Sequence, residues 1–239
     1  MKMKHSIIFD YDGTIHDTMN IYEPAMREAF RWLKESCSIE IPPVSSQRIA
    51  SWLGMNKYEM WNSFLPDLPG ELREKASDMV GAYMEEAVLT GKAVWYDGIG
   101  KTLEEMKRRG YSMAVLSNCQ TSYARVHWQQ FSMDRWFERF YDCESFAYLP
   151  KTEIIGRIES DFPGPYVVVG ARKSDLECAK VSFISTSVLS GSSFVGCLYG
   201  FGLREELQGS DVLAEKPEEL LEKIMQVMPE EQSKLLPEL

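Results

Sequence analysis

The sequence predicts an α/β protein: a doubly wound, Rossmann-like parallel sheet with an all-helical cap domain inserted into it. After residue 97, short apolar runs that end in polar or glycine residues alternate with helical patterns, as in parallel sheets covered by helices. The stretch 17–96 carries one helical pattern after another and no convincing strand. Since a first apolar run, 6–9, precedes that stretch, we predict an α/β core of residues 1–16 and 97–239 and a cap of residues 17–96.

The cap is expected to be entirely helical. Its first helix has Asp17 in position to cap its start, and Pro42-Pro43 breaks it. Three further patterns, with apolar residues every three or four positions, follow over 46–53, 57–64 and 71–89. An inserted module needs two linkers close in space, so we expect the chain near Asp17 to lie beside Tyr96-Asp97.

The core begins with the strand 6–9 and resumes at Asp97-Gly98. Further buried strands are predicted over 111–116, 165–170 and 194–198. The run 165–170 is the clearest, because it holds three consecutive valines, which favour strands. The helices expected to cover the sheet lie over 99–110, over 121–130, after Pro150-Lys151, over 174–181 and over 217–228. Residues 185–192 are interpreted as an insertion before the last strand.

Composition and charge exclude several classes of protein. Of 239 residues, 26 are basic and 36 acidic, which gives a net charge of -10. Such a surface repels nucleic acid and anionic membranes, so neither is expected as a partner. No stretch reaches 18 apolar residues, and the five cysteines are scattered without a C-x-x-C pair. We therefore expect free thiols and a cytoplasmic location.

Polar side chains converge where the predicted strands end, which is where ligands bind in doubly wound sheets. The candidates are Asp10, Asp12, Ser117, Asn118, Lys151 and Asp175. Neighbouring aspartates perturb each other's pKa or hold a hard cation. A magnesium site beside an ammonium group and a hydroxyl is typical equipment for phosphoryl transfer. The alternative is that Asp10–Thr14 forms only an Asx-type turn.

A family resemblance makes this prediction specific. The segment FDYDGTIHD, residues 9–17, resembles the signature of phosphatases of the haloacid dehalogenase superfamily. Leu116-Ser117-Asn118, Lys151 and the segment 169–175 follow in that family's order. The loop 198–202 is similar to the one in phosphoglycolate-phosphatase-like members. The resemblance covers nearly the whole chain.

The resemblance implies a magnesium-dependent phosphatase that hydrolyses a small phosphomonoester through an aspartyl-phosphate. Asp10 would be the nucleophile, and Asp12 would protonate the leaving alcohol and later deprotonate water. Dehalogenases of the superfamily lack this second aspartate. Mg²⁺ would be held by the Asp10 carboxylate, the backbone carbonyl of Asp12 and an acid of the last motif, Asp175.

The same resemblance implies a phosphate site. Ser117 and Lys151 would bind the phosphoryl oxygens and complete the catalytic set. Gly13, Thr14 and Asn118 would line the rest of that site. A small phosphorylated metabolite is the expected partner, with a phosphoglycolate-phosphatase-like or nucleotidase-like activity.

One departure from the family pattern leaves alternatives open. Ala171 stands where the family has a metal-binding aspartate, so activity could be impaired and the chain could be a weak or inactive phosphate-binding member. A sugar phosphomutase of the same fold is the other alternative. The cap segment 53–57 lacks the arginine that such mutases carry, which disfavours it. We expect the side chain at 171 to face the metal position and Asp175 to brace Lys151.

Overall fold

The computed structural model of the chain describes residues 5–162, 166–185 and 192–228. Most of the predicted insertion, 186–191, lies outside the described residues. No helix in the described ranges is both long and apolar enough to cross a membrane.

A single parallel sheet of six strands organises the structure, in the order β3-β2-β1-β4-β5-β6. The strands are β1 (Ser6–Phe9), β2 (Ser112–Ser117), β3 (Arg139–Asp142), β4 (Tyr166–Gly170), β5 (Ser193–Cys197) and β6 (Val212–Ala214). Phe9 pairs with Val115 on one side and with Val169 on the other, so β1 lies at the centre of the sheet. The predicted α/β fold class is confirmed.

Two strands, β3 and β6, were not predicted. In β3 only Asp142 is buried, and β6 has three residues. Both are edge strands, which bury less surface than central strands and therefore lack a long apolar run.

Helices cover both faces of the sheet, and four of them follow β1 directly. They are α1 (Met19–Cys37), α2 (Ser46–Ala50), α3 (Lys57–Phe64), α4 (Gly70–Leu89), α5 (Ile99–Arg108), α6 (Thr121–Gln130), α7 (Lys151–Ile158), α8 (Lys173–Ser185) and α9 (Leu220–Val227). In β1, Ile7 and Phe9 face one core cluster and Ile8 the other, as the two-residue period of a strand requires. Helices α7 and α8 pack on the Ile8 face, and α5, α6 and α9 on the opposite face.

The start of α1 differs from the prediction that Asp17 caps it. Thr18 occupies the N-cap position, and no side chain caps the helix there. The Thr18 hydroxyl donates instead to Asp12 Oδ1 (2.8 Å), while Asp17 accepts from Asn20 Nδ2 (2.9 Å). A tertiary contact has therefore replaced the local cap.

The two ends of the helical segment α1–α4 lie side by side. Asp17 N donates to Val94 O (3.0 Å) and Tyr96 N donates to Ile15 O (3.0 Å). This pairing places the entry to α1 and the exit from α4 directly beside the turn that follows β1.

Candidate active site

The turn after β1 carries the first two site residues. Asp10 N still donates to Val169 O (2.8 Å), which prolongs the pairing of β1 with β4. Three amides then donate to the Tyr11 carbonyl oxygen: those of Thr14 (3.2 Å), Ile15 (2.9 Å) and His16 (3.0 Å). Gly13 has φ +85°, a left-handed conformation that favours glycine, and the Phe201 ring packs where a Gly13 side chain would lie. These contacts hold Asp10 and Asp12 in a tight turn at the centre of the sheet edge.

Asp10 belongs to a buried cluster of three charged groups. Lys151 Nζ donates to Asp10 Oδ1 (2.6 Å) and to Asp175 Oδ1 (2.7 Å), and all three side chains are less than 5% exposed. Burial, together with the nearby Asp175 carboxylate, raises the pKa of Asp10 to about 7 although Lys151 opposes the rise. Burial by itself would lower the pKa of Lys151, but the two carboxylates raise it, so the ammonium stays charged. Asp175 braces Lys151, as predicted.

Asp12 has a different environment, in which hydroxyl groups and a histidine ring surround the carboxylate. Oδ1 accepts from the hydroxyls of Thr18 and Tyr123, both at 2.8 Å, and Oδ2 accepts from the Ser117 hydroxyl at 3.3 Å. His16 Nδ1 lies 3.4 Å from Oδ1. Burial would raise the pKa of Asp12, but the hydrogen bonds from His16 and Thr18 and the nearby histidines hold it below its usual value.

These contacts assign the proton on His16. The Thr18 and Tyr123 hydroxyls each have one proton, and both donate it to Asp12. His16 Nδ1 lies 2.9 Å from the Thr18 oxygen and 3.1 Å from the Tyr123 oxygen, so Nδ1 must be the donor in these contacts. The contacts of Thr18, Tyr123 and His16 with Asp12 were not predicted from the sequence. For Tyr123 one local signal existed, because it lies in the helix that begins just after β2 ends.

Behind His16 lies a second buried layer. The Tyr11 hydroxyl accepts from Trp95 Nε1 (3.0 Å) and donates to His127 Nδ1 (2.7 Å). Burial and the neighbouring His16 lower the pKa of His127 to about 3, so it accepts as a neutral ring. This layer ties the turn to α6 and to the linker at Trp95.

The predicted phosphate-binding residues lie close together but have different partners. The Thr14 hydroxyl donates to Asp10 Oδ2 (3.3 Å), and Ser117 contacts Asp12. Asn118 Nδ2 donates to Gly54 O (2.7 Å), between α2 and α3. Asn118 therefore links the β2 end to the helical segment, a contact that the sequence analysis did not foresee.

Asp175 does not fit the place of a magnesium ligand that the resemblance assigns to it. Magnesium demands near-octahedral oxygen coordination. Both Asp175 oxygens are already hydrogen-bonded, because Oδ2 accepts from Arg172 N (3.0 Å) and Oδ1 from Lys151 Nζ (2.7 Å). Within 5–162, 166–185 and 192–228, no group of three or more His, Cys, Asp or Glu side chains is placed to hold a metal ion.

The position of Ala171 adds to this disagreement. Its side chain is fully buried, and Gly200 lies so close that a methyl group there would come within 2.7 Å of Ala171 Cβ. We expected position 171 to face a metal site, but the loop at Gly200 and Gly202 covers it. Glycine allows that close approach because it has no Cβ.

A cavity of about 130 Å³ extends from the aspartates into the helical segment. Asp10, Asp12 and Ser117 contribute to its wall from the sheet edge, and α1, α3 and α4 contribute to the remainder. Arg172 Nη2 donates to Ser51 O (3.4 Å) and, with the Asn118 contact, joins the sheet edge to the helical segment. The cavity is thus bounded by both parts of the chain.

Comparison with known proteins places this geometry in a family. A family model described as haloacid dehalogenase-like hydrolase matches residues 7–188. A phosphoglycolate phosphatase from Pasteurella multocida is 22% identical over 206 residues, covering 81% of this chain and 85% of that protein.

Two solved structures have the same fold. A predicted phosphatase from Clostridium acetobutylicum superposes with a TM-score of 0.74 at 19% identity, over 95% of this chain and 100% of that one. CbbY from Rhodobacter sphaeroides, in complex with phosphate, superposes with a TM-score of 0.71 at 19% identity, over 91% and 96% of the two chains. The predicted fold and superfamily are confirmed, and the chain belongs to the haloacid dehalogenase-like hydrolases.

Proposed function

We propose that the chain is a phosphatase that hydrolyses a small phosphomonoester, with Asp10 as the nucleophile. The observation that carries this proposal is the Lys151 ammonium, which lies 2.6 Å from Asp10 Oδ1 at the centre of the sheet edge. An ammonium there neutralises negative charge that develops on a phosphoryl group attacked by Asp10. The phosphatases among the relatives support the same reaction class.

The reaction has two displacements at phosphorus. In the first, an Asp10 oxygen forms a bond to phosphorus while the bond to the leaving oxygen breaks, and the leaving oxygen departs with the electron pair and takes up a proton from solvent water. In the second, water attacks the aspartyl-phosphate, its proton passes to Asp12, and the bond between phosphorus and Asp10 breaks. Ser117 and Lys151 would bind the phosphoryl oxygens throughout.

The surroundings of Asp12 favour its role as a base. Four donors stabilise its carboxylate and hold its pKa below the usual value, so it is ionised at neutral pH. An ionised carboxylate accepts a proton from water readily but has none to give to a poor leaving group. We therefore expect faster hydrolysis of aryl phosphates, whose leaving groups need little protonation, than of alkyl phosphates.

The family predicts Mg²⁺ as cofactor, where it would neutralise phosphoryl charge. In this chain both Asp10 oxygens accept hydrogen bonds, from Lys151 and from the Thr14 hydroxyl, and both Asp175 oxygens do so as well. The magnesium requirement therefore stays a prediction. The small phosphorylated substrate is likewise part of our proposal. So is the cytoplasmic location, which rests on five free cysteines.

The test is phosphate release from an aryl phosphate, measured with and without Mg²⁺. Asp10→Asn should lower kcat at least about 1,000-fold, or roughly 4 kcal/mol of barrier. Asp17→Asn is the matched control, because Asp17 carries a carboxylate seven positions after Asp10 but lies outside the cluster. Its kcat should stay within about twofold of wild type. Residual turnover of Asp10→Asn within tenfold of wild type would remove Asp10 from the role of nucleophile.

A second candidate function follows from Ala171 and from Asp175, whose oxygens accept hydrogen bonds from Lys151 and Arg172 N. A member that binds phosphorylated ligands without turnover would keep the Lys151 cluster and lose the metal ligand, as this chain does. Calorimetry with inorganic phosphate separates the two candidates: binding without turnover of any phosphomonoester supports the second.

A further inference from the structure

The cavity beside Asp10 has an unusually apolar wall for a site that would receive a phosphorylated metabolite. Apart from the aspartates and Ser117 at the sheet edge, its surface is dominated by large apolar side chains: Met26, Trp52, Met60, Trp61, Val80 and Met84. All six are at most 8% exposed. These six side chains are therefore packed against their neighbours and leave little of their own surface exposed.

Several polar side chains in this wall are hydrogen-bonded within the protein, whereas the buried Nε1 of Trp52 has no hydrogen-bond partner among the described residues. The Ser77 hydroxyl accepts from Trp61 Nε1 and donates to Arg73 O, both at 2.8 Å. Asn56 Oδ1 accepts from the Tyr58 and Glu59 amides, both at 3.0 Å, and caps α3. Asn118 donates to Gly54 O, so the three lining side chains Ser77, Asn56 and Asn118 all form hydrogen bonds with neighbouring protein groups.

The charge of the wall is also unsuited to an anionic leaving group. Among the described lining residues the single cation is Lys57, and it forms an ion pair with Glu74 at 2.6 Å. Its ammonium also lies over the ring of Tyr148, 5.6 Å from the centroid. A carboxylate on the leaving group would have to be buried here without a free cation, which is costly.

We propose that this cavity binds the leaving group of the substrate and selects one that is uncharged, apolar and about the size of a single aromatic ring. The inference rests on the proposed phosphatase function and names its substrate class. The size follows from the volume: a cavity of about 150 Å³ with apolar walls binds benzene, and this one measures about 130 Å³. Methionine sulfurs and tryptophan rings make favourable contacts with such a ring. The leaving group of 2-phosphoglycolate, which bears a carboxylate, does not fit this description.

The direct test compares benzyl phosphate with 2-phosphoglycolate on the wild-type protein. Both are esters of primary alcohols, so their leaving groups differ little in intrinsic reactivity. A difference in kcat/KM therefore reports how well each leaving group fits the cavity. We expect kcat/KM for benzyl phosphate to exceed that for 2-phosphoglycolate at least about 100-fold, the equivalent of roughly 2.7 kcal/mol. Equal values, or a preference for 2-phosphoglycolate, would overturn the inference.

Two substitutions on α4 sharpen the test. Met84→Lys places a cation in the wall and should reduce the preference for benzyl phosphate at least tenfold. Leu89→Lys makes the same change at the 65% exposed end of the same helix and should leave the preference unchanged. Met84→Gln, closer to methionine in size, is the second variant in case Met84→Lys does not fold, and it should reduce the preference severalfold. An unchanged preference in a folded Met84 variant would count against the cavity.

Binding of phosphonates separates this inference from the proposed function. 2-Phenylethylphosphonate and 3-phosphonopropionate are the non-hydrolysable counterparts of the two substrates, and calorimetry measures their Kd. If no phosphomonoester is turned over, yet the phenylethyl compound binds at least tenfold more tightly, the phosphatase function fails and the cavity assignment stands. If turnover occurs but the two compounds bind equally, the cavity assignment fails alone.

Discussion

Asp10 and Asp12 are two positions apart on one turn, and both are buried, but their environments differ in kind. Asp10 contacts a charged lysine that it shares with Asp175, so two carboxylates compete for one ammonium. Asp12 contacts hydroxyls and a histidine ring, with no competing carboxylate in hydrogen-bond contact among its described partners. The pKa of Asp10 is raised and that of Asp12 lowered.

The comparison shows that burial alone does not set the charge state of a carboxylate. Desolvation raises both pKa values, and the outcome depends on what replaces the lost water. An excess of buried negative charge leaves Asp10 with a raised pKa, whereas several hydrogen-bond donors stabilise the Asp12 carboxylate. One short turn thereby presents two carboxylates suited to different steps.

The largest expected effect comes from removing the ammonium that holds the Asp10 cluster together. Lys151→Met leaves two buried carboxylates without a cation and should destabilise the fold by about 3–5 kcal/mol. Urea unfolding at pH 7 measures this loss. Lys173→Met is the control, because Lys173 is 70% exposed and its ion pair with Glu177 spans 3.6 Å, so its loss should cost less than about 1 kcal/mol. Equal effects of the two substitutions would mean that the cluster is not held by Lys151.

The next effect concerns the raised pKa of Asp10. The folded protein retains the Asp10 proton up to about pH 7, whereas the unfolded chain releases it near 3.8. The folded state binds more protons in that window, so Asp10 costs stability as the pH rises from about 4 to about 7. Asp10→Asn should therefore gain stability over wild type across this window, by up to roughly 4 kcal/mol at about 1.4 kcal/mol per pKa unit.

Unfolding free energies of Asp10→Asn and wild type at pH 5, 6, 7 and 8 check this prediction. The difference should grow with pH and level off above about pH 7. A difference that is constant over the series would show that Asp10 has no raised pKa in the folded protein.

A smaller effect is expected on the Asp12 side of the comparison. Tyr123→Phe removes a hydroxyl that donates to the carboxylate at 2.8 Å, so the pKa of Asp12 should rise. With Asp12 in its proposed role as a base, the acid limb of the pH–rate profile should move to higher pH, which steady-state kinetics with an aryl phosphate measures. Tyr141→Phe removes a hydroxyl that donates to Asp161 far from the turn and should not move it. A lower rate with an unmoved limb would assign Tyr123 a purely structural role.

The smallest effect is expected at Ala171. Ala171→Asp puts a charged oxygen at a position that the Gly200 loop covers, so magnesium affinity measured by calorimetry should stay within about twofold of wild type. Ala171→Asn supplies an oxygen of similar size without the charge and should give little change. Because the Gly200 loop packs against position 171, both variants should lose a similar amount of stability, on the order of 1–3 kcal/mol. Magnesium binding at least fivefold tighter in Ala171→Asp than in both wild type and Ala171→Asn would show that position 171 does reach a metal site.

The sequence by itself determined the fold class and the location of the candidate site. Strand 6–9, the valine run of β4 and the polar residues after each strand carry local signals, because buried central strands need continuous apolar runs and the chain must turn after them. The helices α3, α4 and α6 begin and end close to their predicted bounds, because their apolar residues recur every three or four positions. Lys151 and Asp175 also came together as expected, since both follow the edge where the strands end.

The tertiary structure alone decided how those residues are used. The edge strands β3 and β6 are stabilised by their pairing and not by their own composition. The Thr18 hydroxyl donates to Asp12 and does not cap α1. The Asn118 amide donates to the carbonyl of Gly54, which is 64 positions away in the sequence. The opposite pKa shifts of the two aspartates depend on side chains that only folding brings to them: Lys151 is 141 positions from Asp10, and Tyr123 is 111 positions from Asp12. The apolar cavity likewise forms only where the sheet edge meets the helical segment.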